Sequence, residues 1–184
     1  MLEGEVSGVY EKAINRREEV VKSLKVRLSE LRFPRGREEL KVSSRLERLI
    51  GAVKIGEIKA EQIGATLDSF EILYHNYPEP LDPGDNVSFW CTIYQGRKLL
   101  VQNIYVGPSI RGKGLGKQIV LMLEALALEN DCQRSVLWHV DTPASFRMSE
   151  GLGYQDIYDG KQLGVNRYKT LRRAVLHEAH LPQS

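Results

Sequence analysis

The residues best suited to chemistry lie at positions 106–117, Val-Gly-Pro-Ser-Ile-Arg-Gly-Lys-Gly-Leu-Gly-Lys. An apolar run ends there, a glycine-rich turn follows, and a second apolar run begins. Glycine permits positive φ and close backbone approach. Successive N–H groups can then point at one anion, and the start of a following helix adds its dipole. Arg111, Lys113 and Lys117 add positive charge. The pattern predicts a phosphate-binding turn; the bland alternative is a tight strand-to-helix turn with solvated basic residues.

Three templates compete for this turn. Gly107 to Lys113 satisfies Gly-x4-Gly-Lys, but Gly114 stands where a P-loop needs Ser or Thr to hold magnesium. The dinucleotide pattern Gly-x-Gly-x-x-Gly fails, because Gly112, Gly114 and Gly116 are evenly spaced by two. Arg111, Gly114 and Gly116 meet the third, Arg-x-x-Gly-x-Gly.

Other chemistry is sparse. His177 and His180 lie three apart without partner ligands, so no metal site is expected. Cys91 and Cys132 cannot make a disulfide framework; one bridge is an option, and two reduced thiols in a cytosolic protein is the better reading. The 26 Lys/Arg and 24 Asp/Glu give a net charge of +2, which argues against a nucleic-acid coat. The N-terminus is acidic where a secretory signal would be basic. The densest apolar stretch, residues 119–128, is broken by Glu124 and too short to span a bilayer. The expectation is a soluble, cytoplasmic protein with no nucleic-acid or membrane partner.

The elements that must position the turn follow from periodicity. Ile14, Val21, Leu24, Leu28 and Leu31 fall on one helical face. Pro34 and Gly36 interrupt, and Leu40, Leu46, Leu49 and Ile50 suggest a second amphipathic stretch, together a helical hairpin. Residues 1–50 thus read as a basic helical leader packed on the main domain of residues 51–184, or as a docking arm for a partner or a second copy. Residues 56–96 are acidic. Val53, Ile55 and Ile58 hint at a strand; Phe70, Ile72 and Tyr74 alternate, though a helix fits nearly as well. Residues 77–85 hold three prolines and a glycine and read as a loop. Residues 87–94 and 99–106 form a hairpin around the Gln95–Lys98 turn. Residues 114–130 make a buried helix and 136–140 a strand. Thr142 and Pro143 open a short helix that Gly151 and Gly153 close. Residues 155–158 and 165–171 suit a terminal hairpin around Asp159-Gly160.

The order strand, Arg-x-x-Gly-x-Gly, helix, strand, then Phe146-Arg-Met-Ser-Glu-Gly-Leu-Gly-Tyr154 resembles the GNAT acetyltransferase superfamily over roughly residues 87–171. The resemblance implies an α/β fold: a mixed, mostly antiparallel sheet flanked by helices and splayed open in its middle, here with an N-terminal helical extension. It implies acetyl-CoA as co-substrate, its pantetheine arm pairing with the backbone of Ile104, Tyr105 and Val106. Its pyrophosphate would lie on the N–H groups of Arg111, Gly112, Lys113, Gly114, Leu115 and Gly116, with Lys117 adding charge. Thr142 takes the place of the family's common asparagine.

In many members a tyrosine supplies the acid for the leaving thiolate, and the resemblance puts Ser149 there. The glutamate used as base in some relatives falls near Leu100, which cannot act; Gln102 can at most position a water. His139, on the next strand, is the candidate base. Tyr94, Glu71 and His75 lie on segments able to line the acceptor side. Two functions follow. One is an N-acetyltransferase acting on the primary amine of a cationic acceptor, small molecule or protein, drawn by the acidic segment. The other is a GNAT-fold binding module with weak or absent catalysis.

Overall fold

The computed structural model describes residues 2–54, 57, 68–78, 83–157 and 165–172. In chain order the elements are α1 (Leu2–Glu30), β1 (Gly36–Ser44), α2 (Arg45–Lys54), β2 (Ser69–Pro78), β3 (Val87–Tyr94), β4 (Lys98–Val106), α3 (Leu115–Glu129), β5 (Arg134–Val140), α4 (Pro143–Gly151), β6 (Gln155–Asp156) and β7 (Val165–Thr170). The strands form one seven-stranded sheet, ordered β1-β2-β3-β4-β5-β7-β6. β4 and β5 run parallel, and every other described pair is antiparallel. This is the mixed, mostly antiparallel sheet flanked by helices that the family resemblance implies. Ile55 and Ile58, residues 79–82 of the expected loop, the Asp159-Gly160 turn, and His177 and His180 lie outside the described residues.

The helical leader needs correcting beyond residue 30. α1 is a helix, but its fully buried stripe is Ala13, Val20, Leu24 and Leu28, with Ile14 and Val21 at its edge. The second amphipathic stretch is not the other arm of a helical hairpin. Residues 36–44 form β1, paired along their whole length with β2 from Gly36–Pro78 to Ser44–Phe70. Helical spacing of Leu40, Leu46 and Leu49 spans a strand and a separate helix. The nonlocal ladder decides the first part, and Ser44 starts the second: its Oγ accepts from the Glu47 N–H at 3.1 Å. Buried Asp68 ties the junction, accepting from Ser44 Oγ at 2.8 Å and from the Leu46 N–H at 3.0 Å. Val53, expected in a strand, belongs to α2.

The core fills the space between α1, α3 and one sheet face. Leu24 and Leu28 of α1, Ile119 and Leu123 of α3, Phe70, Ile72 and Tyr74 of β2, and Phe89, Cys91 and Ile93 of β3 share one buried cluster. Strand alternation turns Glu71, Leu73 and His75 of β2, and Ser88, Trp90 and Thr92 of β3, to the opposite face. Cys91 and Cys132 are both free and buried. Glu124, which interrupts the apolar run of α3, is buried but satisfied. It accepts from Tyr154 Oη at 2.7 Å and from Lys169 Nζ at 2.8 Å, and Ser135 Oγ lies 2.5 Å from the same hydroxyl. Burial, reinforced by the Glu124 charge, raises the Tyr154 phenol far above its ordinary range and keeps it neutral.

Candidate active site

β4 and β5 pair only from Lys98–Arg134 to Val101–Leu137. Two irregularities then push the strands apart. On β4, Trp90 and Cys91 of β3 face Asn103 and Val101, which leaves Gln102 as an extra residue. On β5, the register with β7 slips between Leu137 and Val140. His139 sits inside this slip at φ 52°, an uncommon conformation for a side-chain-bearing residue. Its N–H donates to Asn166 Oδ1 at 3.1 Å. Past these points a cleft of about 660 Å³ opens between the strands.

The glycine turn closes one end of the cleft. Gly107 packs where no side chain fits: a Cβ there would stand 2.1 Å from the Gly84 carbonyl oxygen. Gly112 and Gly114 take φ of 79° and 76°, which favours glycine at both. Gly114 is the N-cap of α3 and offers no side-chain cap, so the first N–H groups of α3 keep their donors free for an anion. Buried Leu115 anchors that first turn to the core. Arg111 folds back along the strand it leaves, its Nε donating to the Val106 carbonyl at 2.7 Å, with its guanidinium 5.7 Å from the Tyr105 ring centroid.

Of the residues expected from sequence, Ile104, Tyr105, Val106, Arg111, Gly112, Gly114, Leu115, Gly116, Lys117, His139 and Thr142 all line this one cleft. Lys113 is exposed on the same turn but is not a lining residue. Thr142 caps α4 in a reciprocal box: its Oγ1 accepts from the Ser145 N–H, and Ser145 Oγ accepts from the Thr142 N–H, both at 3.1 Å. Ser149 sits elsewhere. It is fully buried behind the cleft, donating to the Phe146 carbonyl at 2.7 Å and accepting from Arg167 Nη1 at 2.6 Å. Arg167 is itself buried and ion-paired with Asp156 at 2.9 Å. Leu100, Tyr94, Glu71 and His75 do not line the cleft, whereas Gln102 does.

Sequence reasoning missed Asn103, Trp138, Asp141, Ser145 and Met148, all of which line the cleft. Trp138 is 48% exposed. The sequence carries a signal for it: a tryptophan beside His139, four residues before the Thr142 helix cap.

The turn, the open strand edges and the helix start together can hold a phosphate-bearing, amide-rich ligand. The edges would satisfy amides and the turn an anion. Open space above Gly112 and Gly114 leaves room for that anion, so the residues fit a coenzyme A thioester.

Residues 71–154 match the family described as "Acetyltransferase (GNAT) family". The resemblance to GNAT acetyltransferases holds. The matched stretch carries β2 to α4, the cleft and its turn. A pig (Sus scrofa) protein named thialysine N-epsilon-acetyltransferase is 26% identical over 142 residues, 72% of this chain and 73% of its own. A cattle (Bos taurus) protein of the same name is 28% identical over 74 residues, 40% of this chain and 44% of its own. A solved putative acetyltransferase from Agrobacterium tumefaciens has a TM-score of 0.49 at 17% identity, covering 65% of this chain and 90% of that one. Among the described residues, no helix is long and apolar enough to cross a membrane.

Proposed function

We propose that this protein is a GNAT acetyltransferase, an acetyl-CoA-dependent N-acetyltransferase whose acceptor is a primary amine on a small, cationic, lysine-like molecule. The observation that carries the reading is the cleft: β4 and β5 part at a bulge and run to an uncapped helix start with glycines at positive φ. The relatives named for acetylating the side-chain amine of thialysine favour a lysine-like acceptor.

Acetyl-CoA would supply the acetyl thioester. The N–H groups of residues 111–116 hold its pyrophosphate, and Arg111 and Lys117 neutralise charge at the same end. The open edge of β4 at Ile104, Tyr105 and Val106 pairs with amides of the pantetheine arm. A thioester carried along that edge would reach the Gln102 bulge, where backbone lifted out of the ladder could polarise its carbonyl. His139, displayed on the opposite wall, accepts the proton that the amine must lose. Thr142 and Ser145 fix the start of α4 beside the cleft. Ser149 acts at one remove: with Arg167 it holds α4 in place. Two unpaired buried thiols suit a reducing, cytoplasmic setting.

Acetyl-CoA-dependent thiol release with lysine, thialysine and simple diamines tests this reading. The burial of Ser149 favours a second one, a binding module that holds acetyl-CoA without turnover. Calorimetric binding with no thiol release for any amine would select it.

A further inference from the structure

On the sheet face opposite α1 and α3, one row of side chains leads sideways from the cleft. Gln102, at the point where β4 and β5 part, has its Oε1 3.2 Å from Thr92 Oγ1, which donates to it. Thr92 stands opposite Glu71 in the β2–β3 ladder. Glu71 Oε1 accepts from Trp90 Nε1 at 3.1 Å, and its Oε2 meets Arg48 Nη1 of α2 at 3.3 Å. Trp90 faces Asn103, a residue of the cleft wall, and its ring stays 39% exposed. Row and ring together connect the reacting end of the cleft to an exposed pair of opposite charges.

An exposed ion pair contributes little to stability by itself, and the Arg48 side chain is 57% exposed. What this one offers is complementarity. A guanidinium and a carboxylate side by side match the carboxylate and ammonium of an α-amino acid. Between pair and cleft, the tethered indole gives methylenes an apolar surface, as such stems prefer. The spacing agrees. Strands lie about 4.8 Å apart, so Glu71 stands two steps, roughly 10 Å, from β4. Glu71 reaches one step inward to Trp90. A five-bond side chain spans about 6 Å and covers the rest.

We infer that Arg48 and Glu71 bind the α-amino-acid head of a free basic amino acid, carboxylate to Arg48 and α-ammonium to Glu71, while Trp90 carries its methylenes and its terminal amine reaches Gln102. This rests on the reading of the cleft as an acetyl-transfer site. It makes Arg48 and Glu71 specificity residues that favour a free amino acid over a plain diamine or a lysine inside a protein.

The test is the ratio of kcat/KM for L-lysine to that for cadaverine, and to that for lysine methyl ester, which lacks the free carboxylate. In the wild type lysine is expected to lead both by roughly tenfold or more, the usual worth of a hydrogen bond to a charged group. Arg48→Met should bring both ratios near one, and Glu71→Gln should lower the lysine-to-cadaverine ratio while keeping the Trp90 contact. Calorimetry of L-lysine against the CoA-loaded protein gives a second readout. Arg48-dependent lysine binding without turnover of any amine would uphold the head site and sink the acetyl-transfer reading. Turnover that does not distinguish lysine from cadaverine, or is insensitive to Arg48→Met, would overturn the head site and leave the transfer reading standing. Absence of lysine binding together with absence of lysine turnover would also overturn it.

Discussion

The side-chain oxygen of Asn166 holds the backbone N–H of His139 at 3.1 Å, and this bond crosses from β7 to the one described residue of β5 with positive φ. A non-glycine residue in the left-handed region costs about 1–2 kcal/mol. Asn166 offsets that cost and keeps β5 turned away from β4. It is therefore a positioning residue for the cleft.

Asn166→Ala removes the acceptor and leaves the bulge unsupported. Acetyl-CoA affinity is expected to fall several-fold by calorimetry, with a modest loss of thermal stability. Asn166→Asp keeps an acceptor and should recover most of the affinity. Equal affinity in wild type and Asn166→Ala would show that the bulge holds itself.

Acetyl-CoA itself should stabilise the fold. At about a hundred times its dissociation constant, a ligand that binds only the native state adds about 2.7 kcal/mol. A differential-scanning measurement should show the melting temperature rising with acetyl-CoA and with CoA. No shift at millimolar concentrations of either would remove the cofactor assignment.

Gly114→Glu probes the turn. Gly114 has φ 76° with no atom near its missing Cβ, so a side chain there brings backbone strain and projects a carboxylate into the space left for the anion. Binding is expected to be lost while circular dichroism stays native-like. Gly116 differs, since its Cβ would meet Met148 Sδ at 3.4 Å, an ordinary contact. Gly116→Ala should therefore keep most of the affinity.

What the sequence made legible follows from which forces act locally. The glycine turn, α3, the Thr142 cap and the β3–β4 hairpin were readable because each is decided by neighbours in the chain: positive φ at Gly112 and Gly114, a capping box, a tight turn at Gly96. β1 was not, because its strand state comes from a ladder with β2, whose paired residues lie 26 to 42 positions away. The exposed Trp90 and its tie to Glu71 were invisible for the same reason. The resemblance aligns Ser149 with the family's acid but gives no sign of its burial, because its partner Arg167 is contributed by β7, 18 residues on.

The thiols carry a pH prediction. Burial is the main reason that the Cys132 thiol is pushed up to about 11 from an ordinary value near 9; burial raises Cys91 further still. Both should react slowly with a thiol-specific disulfide reagent at pH 8 in the native protein, and at once after denaturation. The sign for stability follows. Below pH 9 both states keep the Cys132 proton and nothing changes. Above it the unfolded thiol ionises first, so stability should fall as pH rises from 9 towards 11. Cys132→Ser should flatten part of that decline.

The sharpest separation of structure from chemistry lies at Ser149. Its hydroxyl accepts from the buried Arg167 and donates to Phe146, and α4 places Ser145 and Met148 on the cleft wall. If Ser149 works by holding α4, Ser149→Ala leaves one Arg167 donor unpaired in a buried site, a cost of about 1–3 kcal/mol. Thermal stability should fall accordingly, and the KM for acetyl-CoA should rise as α4 loosens. Turnover at saturating acetyl-CoA should change little. Ser149→Tyr cannot fit beside Arg167 without moving it and is expected to destabilise more. A drop in turnover with unchanged stability and KM for Ser149→Ala would instead mean that the hydroxyl reaches the leaving thiolate, and that α4 moves during the reaction to bring it there.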